Sequence, residues 1–300
     1  MIKKDYGEKN KEITFYVIRY HSMETGLISI YFSILIEIEY ALRHGYVPFI
    51  DLQNNTTQYT TGELIQGTRN AWEYFWSQPS KYSIDEIYSS KNVILSGKNI
   101  QADKEKHNGE IYQLYKNYDF NNFDDTHKLY EFIKRNMDVK PYIYERVKSI
   151  WKEHFAQGKI IGVFIRGTDY TAFCPKGHPV QPSKEQLYEK VMMLRKKYLE
   201  SKVFLVTEDE KIYVFLKEKL QGALIEIDDI RFSQYRGDDY IYKYCKGNTY
   251  QIGLCYLTKL LLLSKCHYLV ASIANGSKFA NIMNDNHYEE RVILDLGVYK

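Results

Sequence analysis

The chain reads as an α/β protein made of two halves, each a parallel sheet wound with helices. Three observations predict this. Short β-branched or apolar runs alternate with helical segments along its 300 residues. The clearest run, Ile160-Ile-Gly-Val-Phe-Ile165, ends directly on Arg166-Gly-Thr-Asp169, as a buried parallel strand ends on the loop where open α/β sheets bind ligands. Gly158 separates a first half that opens as β-loop-α-β from a second in which the alternation restarts.

In the first half, Ile13 to Ile18 is a strand, and the loop Arg19 to Gly26 leads to a helix over Leu27 to His44 capped by Gly45. Tyr46 to Ile50 is the next strand, which makes a parallel crossover unit. The Asn- and Thr-rich stretch Leu52 to Gly62 is loop, and a short helix begins at Asn70 and stops before Pro79. Residues 96 to 125 are polar and irregular; helices over Thr126 to Met137 and Pro141 to Phe155 close this half.

In the second half, strand 160–165 precedes a helix of 183–200 opened by Ser183-Lys-Glu-Gln186, a capping-box pattern. Strand Lys202 to Thr207, helix Asp209 to Leu220 and strand Ala223 to Ile227 follow. A polar loop precedes helix Asn248 to Lys265, strand His267 to Ala271, a helix over 275–284 and a last apolar strand at Val292 to Leu294. The order implies two Rossmann-like domains, 1–157 and 158–300, facing each other across a cleft. Neither GxxxxGK[ST] nor GxGxxG occurs.

A net charge of +3 is too small for nucleic acid, but it is unevenly placed: about −1 up to residue 155 and about +4 beyond. An anionic ligand is therefore expected in the second half. The 29 tyrosines point to no function by themselves. Cys174, Cys245, Cys255 and Cys266 form no C-x-x-C pair, so neither a metal site nor a disulfide frame is expected. The opening residues lack a signal-peptide pattern, and the apolar window Leu27 to Leu42 is interrupted by Glu37 and Glu39. A cytoplasmic protein is expected, without a transmembrane segment and at most peripheral to a membrane.

Polar groups gather at three strand ends of the second half: Arg166, Gly167 and Asp169; Thr207, Glu208 and Asp209; and Ser272 with Asn275, Gly276 and Ser277. A guanidinium fork suits a phosphate, and a helix N-terminus favours an anion. The competing readings are an Arg166–Asp169 ion pair closing a turn, and Ser272 and Asn275 as helix caps. The acidic pairs Asp124-Asp125, Asp228-Asp229 and Asp238-Asp239 are not D-x-D and read as solvated loop acids, so no metal is expected. Arg231, Arg236 and Lys243 are further cations on a loop. For an acceptor hydroxyl, the candidate bases are His21, Glu24, Glu73 and Asp169. Trp72, Tyr74 and Trp76 are either sugar-stacking or core aromatics.

The ordered motifs Ile-x-Arg166-x-Thr-Asp169, His178-Pro179, Val-Thr207-Glu-Asp209 and Leu-Ser264-Lys-Cys-His-Tyr-Leu-Val270-x-Ser272 resemble the α1,6-fucosyltransferase group. That group includes the rhizobial nodulation and animal core enzymes; Asp295-Leu-Gly-Val-Tyr299 also resembles bacterial capsule and lipopolysaccharide relatives. The resemblance implies a GT-B-like fold, a nucleotide-diphosphate sugar in the second domain, inversion at the anomeric carbon, and neither metal nor other cofactor. It would place Arg166 on the β-phosphate, Asp169 bracing it, and 207–209 and 272–277 along the nucleotide. His21, Glu24, Trp72 and Glu73 are the residues expected on the acceptor side. The sequence departs from the group's pattern at Phe164, Gly167, Cys174 and Lys259. The expected function is therefore an inverting, metal-independent glycosyltransferase, GDP-fucose favoured as donor, modifying a bacterial surface polysaccharide or glycolipid. The alternatives are a nucleotide-sugar epimerase or hydrolase on the same plan, or a non-catalytic nucleotide- or sugar-binding protein.

Overall fold

The computed structural model describes residues 1–97, 104–155, 158–227, 241–244 and 247–300. The chain divides into two compact units, Met1–Pro141 and Tyr142–Lys300.

The first unit runs β1 (Ile2–Lys4), β2 (Lys9–Ile18), α1 (Leu27–Arg43), β3 (Val47–Ile50), α2 (Ile84–Ile87), β4 (Ser90–Leu95), α3 (Glu110–Lys116) and α4 (Phe123–Asn136). Its sheet order is β1-β4-β2-β3; β2 is parallel to both neighbours and β1 is an antiparallel edge. Phe15, Val17, Phe49, Val93 and Leu95 alternate inward from three strands and meet Ile87 in one core cluster. Helix α1 is apolar on nearly every side, and its two buried acids are each satisfied. Glu37 accepts from Lys106 Nζ and from the Tyr16 hydroxyl, both at 2.6 Å. Glu39 accepts from the backbone of Ile111 and Tyr112, so one helix's carboxylate caps the N-terminus of α3.

The second unit contains α5 (Pro141–His154), β5 (Ile160–Phe164), α6 (Thr168–Phe173), α7 (Lys184–Lys197), β6 (Lys202–Val206), α8 (Glu210–Leu220), β7 (Leu224–Ile225), α9 (Thr249–Leu263), β8 (Tyr268–Ser272), α10 (Asn275–Asn284) and β9 (Glu290–Leu294). Its five strands are all parallel in the order β7-β6-β5-β8-β9. The chain winds outward from β5 through β6 to β7, then returns to the other side of β5 as β8. Such a reversal is the topological switch point of a doubly wound sheet. Gly162 in mid-β5 lets α9 approach, since a Cβ there would lie 2.5 Å from Leu263 Cδ1.

Several expectations change. The sequence places the boundary at Gly158, whereas α5 is compact with the second unit: Trp151 stacks on Phe155, whose ring meets Phe204 of β6 edge-on at 4.9 Å. The helix expected from Asn70 is a series of turns, because Trp72 and Trp76 stack against Tyr31 of α1 and pull the backbone inward. The capping boxes at Ser83 and Ser183, and the caps Asp209 and Asn248, form as side-chain-to-backbone bonds. Asp228, Asp229, Arg231, Arg236, Asp238, Asp239 and Cys245 lie outside the described residues. Among the described residues no helix is long and apolar enough to cross a membrane.

Candidate functional site

Arg166 stands two residues beyond Phe164, which is paired with Val206 on one side and Ala271 on the other. The same register carries Glu208 two residues beyond Val206, so arginine and glutamate emerge side by side from adjacent strands. Arg166 Nη2 lies 3.5 Å from Asp169 Oδ1, and Nε lies 3.5 Å from Glu208 Oε2. The guanidinium also sits 4.9 Å from the centre of the Tyr170 ring. Burial would lower its pKa, but the carboxylates of Glu208 and Asp169 outweigh that and hold it above the ordinary arginine value.

Both contacts are long, and Arg166 Nε and Glu208 Oε2 are buried without a hydrogen-bond partner. Unsatisfied buried polar atoms are rare and concentrate where a ligand or a strained site explains them. Strain is present too. Gly167 has φ +63°, and a Cβ there would fall 2.9 Å from Asp209 Cβ and from Ile212 Cδ1. Thr168, β-branched, has φ +50°, a conformation such residues rarely adopt. Asp209 holds this turn: one carboxylate oxygen accepts from the Thr168 amide, and the other caps α8 by accepting from Lys211 and Ile212.

At the β8 end, two of the residues expected along the nucleotide are held inside the fold. Ser272 and Ser277 are fully buried and serve the fold. Ser272 donates to Gln181 Oε1 at 2.7 Å, and Ser277 donates to the Ser272 and Ala274 carbonyls, so neither is exposed to a ligand. Thr207 is likewise buried, its hydroxyl accepting from the Asp209 amide. What this edge offers an anion is the N-terminus of α10, at Asn275 and Gly276. A Cβ at Gly276 would run into the Tyr256 hydroxyl and the Phe164 ring, which explains the glycine. Lys278, one residue beyond Ser277, is a half-buried cation that burial pulls below the ordinary lysine pKa. Lys259 is buried on α9.

On the first unit, His21 and Glu24 are exposed on the loop before α1, which is closed by the Ser22–Thr25 hydroxyl pair at 2.6 Å. Trp72 is completely buried, stacked on Tyr31 and Trp76, and cannot stack on a sugar. Glu73 is half-buried and accepts from Gln78. Among the described residues no group of three or more His, Cys, Asp and Glu side chains is placed to hold a metal ion.

Sequence reasoning passed over Tyr170 and Gln181. Tyr170 is four residues beyond Arg166, a spacing that could have suggested the contact. Gln181 braces the β8 loop through Ser272 and the Ile273 carbonyl from some ninety positions away, and no local signal marks it.

No family model and no curated protein matches this sequence. Solved structures do match its fold. A NodZ alpha-1,6-fucosyltransferase soaked with GDP-fucose aligns with TM-score 0.50 and 17% identity over 90% of this chain and 92% of that one. Fucosyltransferase NodZ from Bradyrhizobium gives 0.51 and 15%, over 94% and 95%. POFUT1 in complex with GDP-fucose gives 0.51 and 11%, over 95% and 99%. At such identities the shared property is the fold: a fucosyltransferase-like α/β architecture of the GT-B class.

Proposed function

We propose that the chain is a glycosyltransferase that takes a nucleotide-diphosphate sugar, GDP-fucose favoured, as donor. The observation that supports this most is Arg166 at the switch point of the second sheet. There it is aligned by Asp169 and Glu208, with a buried N–H still unpaired. The structures sharing the fold include complexes with GDP and GDP-fucose, which favours GDP among the nucleotides.

In this reading the diphosphate lies at the carboxyl ends of β5 and β8. Arg166 donates to phosphate oxygens, and the amides opening α10 face the same charge. Breaking the sugar–phosphate bond leaves negative charge on the diphosphate. Fixed donors that strengthen as this charge grows accelerate the step without a metal. Attack by the acceptor hydroxyl on the face opposite the diphosphate inverts the anomeric carbon. Asp169 braces Arg166 and accepts from Thr168 Oγ1 at 3.2 Å, a positioning role more than a base. The acceptor is read as a glycan or glycolipid of a bacterial surface, built from the cytoplasmic side; on the first unit the candidate bases are His21 and Glu24, both exposed, and half-buried Glu73.

Thermal shift with GDP, UDP, ADP, CDP and dTDP tests the donor assignment, because a ligand that favours the native state raises the melting temperature. GDP should give the largest rise. Incubation with GDP-fucose and a glycan array should label an acceptor, unaffected by EDTA. A UDP-only response would overturn the fucose assignment, and release of free sugar without transfer would favour a hydrolase. Loss of transfer with EDTA that Mn²⁺ restores would show a metal requirement.

A further inference from the structure

A cavity lying wholly within the first unit has about 320 Å³ and is lined by Tyr6, Arg19, Asn54, Asn55, Tyr88 and Leu95. Arg19 follows β2 directly, and its guanidinium is fixed by Nε at 3.0 Å and by Nη2, both on the Ser96 carbonyl beyond β4. That carbonyl is neutral, and Arg19 makes no ion pair among the described residues. A guanidinium clamped in this way presents its remaining donors without a direct carboxylate partner.

Asp51, the acid held by the lining residues, accepts only from neutral donors and makes no ion pair with Arg19 among the described residues. Asp51 is fully buried; one oxygen accepts from the amides of Gln53 and Asn54, the other from Asn54 Nδ2 and the Tyr88 hydroxyl at 2.6 Å. Asn55 donates to the Asp51 carbonyl. These bonds orient Asn54 and Asn55 but leave the side-chain oxygens of both without a partner among the described residues. Tyr6 and Tyr88 add an edge-to-face ring pair with centroids 5.1 Å apart.

We infer that this cavity is a subsite for an acidic sugar: one ring whose carboxylate or phosphate meets Arg19 and whose hydroxyls donate to Asn54 and Asn55. A fixed unpaired cation selects the anionic group. Amide oxygens suit hydroxyl donors, and aromatic edges suit a sugar's apolar patches. The volume is at the small end of ligand pockets (roughly 300–1,000 Å³), which fits a single ring. As the acceptor side of a transferase the subsite rests on the function proposed above; its ligand chemistry is tested independently.

The experiment is a ligand-observed NMR titration of the full chain with glucuronate, glucose 1-phosphate, glucose and inorganic phosphate, each with and without saturating GDP. Glucuronate or glucose 1-phosphate should bind at least tenfold more tightly than glucose. The stronger of the two identifies a uronic acid or a sugar phosphate as the natural group. Arg19→Gln keeps a donor for Ser96 and should lower that affinity at least tenfold. Asn54→Asp places a like charge at the mouth and should lower it several-fold; because it also removes a donor to buried Asp51 and sets two carboxylates side by side, its melting temperature should fall as well. In both variants the thermal response to GDP should persist, and in Arg166→Lys the acidic sugar should still bind. Equal binding of glucose and glucuronate overturns the inference, as does binding of inorganic phosphate alone. Displacement of the sugar by GDP would also overturn it, by making the cavity part of the nucleotide site. Loss of the GDP response in wild type, with acidic-sugar binding intact, would count against the donor reading and leave the subsite standing.

Discussion

Each sheet brings an arginine to the carboxyl end of its central parallel strand, and the two are held in opposite ways. Arg19 rests on a neutral carbonyl, and the loop that follows it contains no left-handed residue before α1. Arg166 lies between two carboxylates, and the next two residues, Gly167 and Thr168, are both left-handed. The first arrangement leaves the guanidinium without a direct carboxylate partner among the described residues. The second is locally net negative, so the phosphate binding proposed for it would rest on aligned donors and a helix terminus rather than on charge alone. If both proposals hold, one carbonyl-clamped and one carboxylate-braced arginine would separate two anions by chemistry, the diphosphate being bound only where geometry is right.

The largest effect should come from removing the braced arginine. Arg166→Ala loses two charge-assisted hydrogen bonds of roughly 1.5–3 kcal/mol each, so transfer should fall about a hundredfold or more. Arg166→Lys keeps the charge but not the fork and should recover little. Near-normal turnover in Arg166→Lys would mean that charge suffices, and the contrast with Arg19 would disappear.

Next is the strained turn. Gly167→Ala must place a Cβ against Asp209 and Ile212 at positive φ, so it should cost about 1–3 kcal/mol of stability and disturb the Asp209 contact to Thr168. Chemical denaturation measures this. A variant as stable as the parent would show that the backbone here relaxes freely and that the turn stores no strain.

A smaller effect sharpens the electrostatic half of the comparison. Glu208→Gln makes the surroundings of Arg166 more like those of Arg19. Removing one partly buried carboxylate at 3.5 Å should tighten nucleoside-diphosphate binding by about fivefold, since such pairs are worth on the order of 1 kcal/mol. Transfer should not rise in proportion, because the arginine loses a brace. Weaker binding in this variant would show that alignment outweighs repulsion even in the ground state.

The sequence made the second sheet legible because its strands are short, β-branched and punctuated by caps that act locally. Ser183, Asp209 and Asn248 each bond to an amide two or three residues away, and the α10 range needs only the Asn275-Gly-Ser signal. The first sheet was harder to read. β1 and β4 went unseen because Ser90-Lys-Asn-Val-Ile-Leu is half polar, and only its place between β1 and β2 makes it a strand. The motif positions at the site were likewise visible, but their roles were not. Arg166 meets Glu208, Ser272 meets Gln181 and Arg19 meets Ser96 only through the winding of the sheets, over separations at which periodicity carries no information. Trp72 shows the same limit: the sequence leaves it open between a stacking and a core aromatic, and only its stacking on Tyr31, from a distant helix, shows it in the core.

The smallest prediction concerns the opposite, amino edge of the second sheet, where titration should change stability and leave the site alone. His267 Nδ1 accepts from the Ile160 amide at 3.1 Å, joining the starts of β8 and β5 through the neutral imidazole. Burial lowers its pKa below 6.5, the ammonium of Lys159 adds to this, and Glu289 opposes it. With the folded value depressed, the unfolded chain takes up the proton first as pH falls. The contribution is complete above about pH 6.5 and is lost through the window between 6.5 and the folded value. His267→Asn keeps an acceptor for Ile160 without titrating. Its melting temperature should therefore decline less than the parent's between about pH 7 and 5, by on the order of a degree or two. Their thermal responses to GDP at a fixed neutral pH should match. Parallel pH profiles would remove His267 as the titrating group, and a changed GDP response would show that the amino edge reaches the site after all.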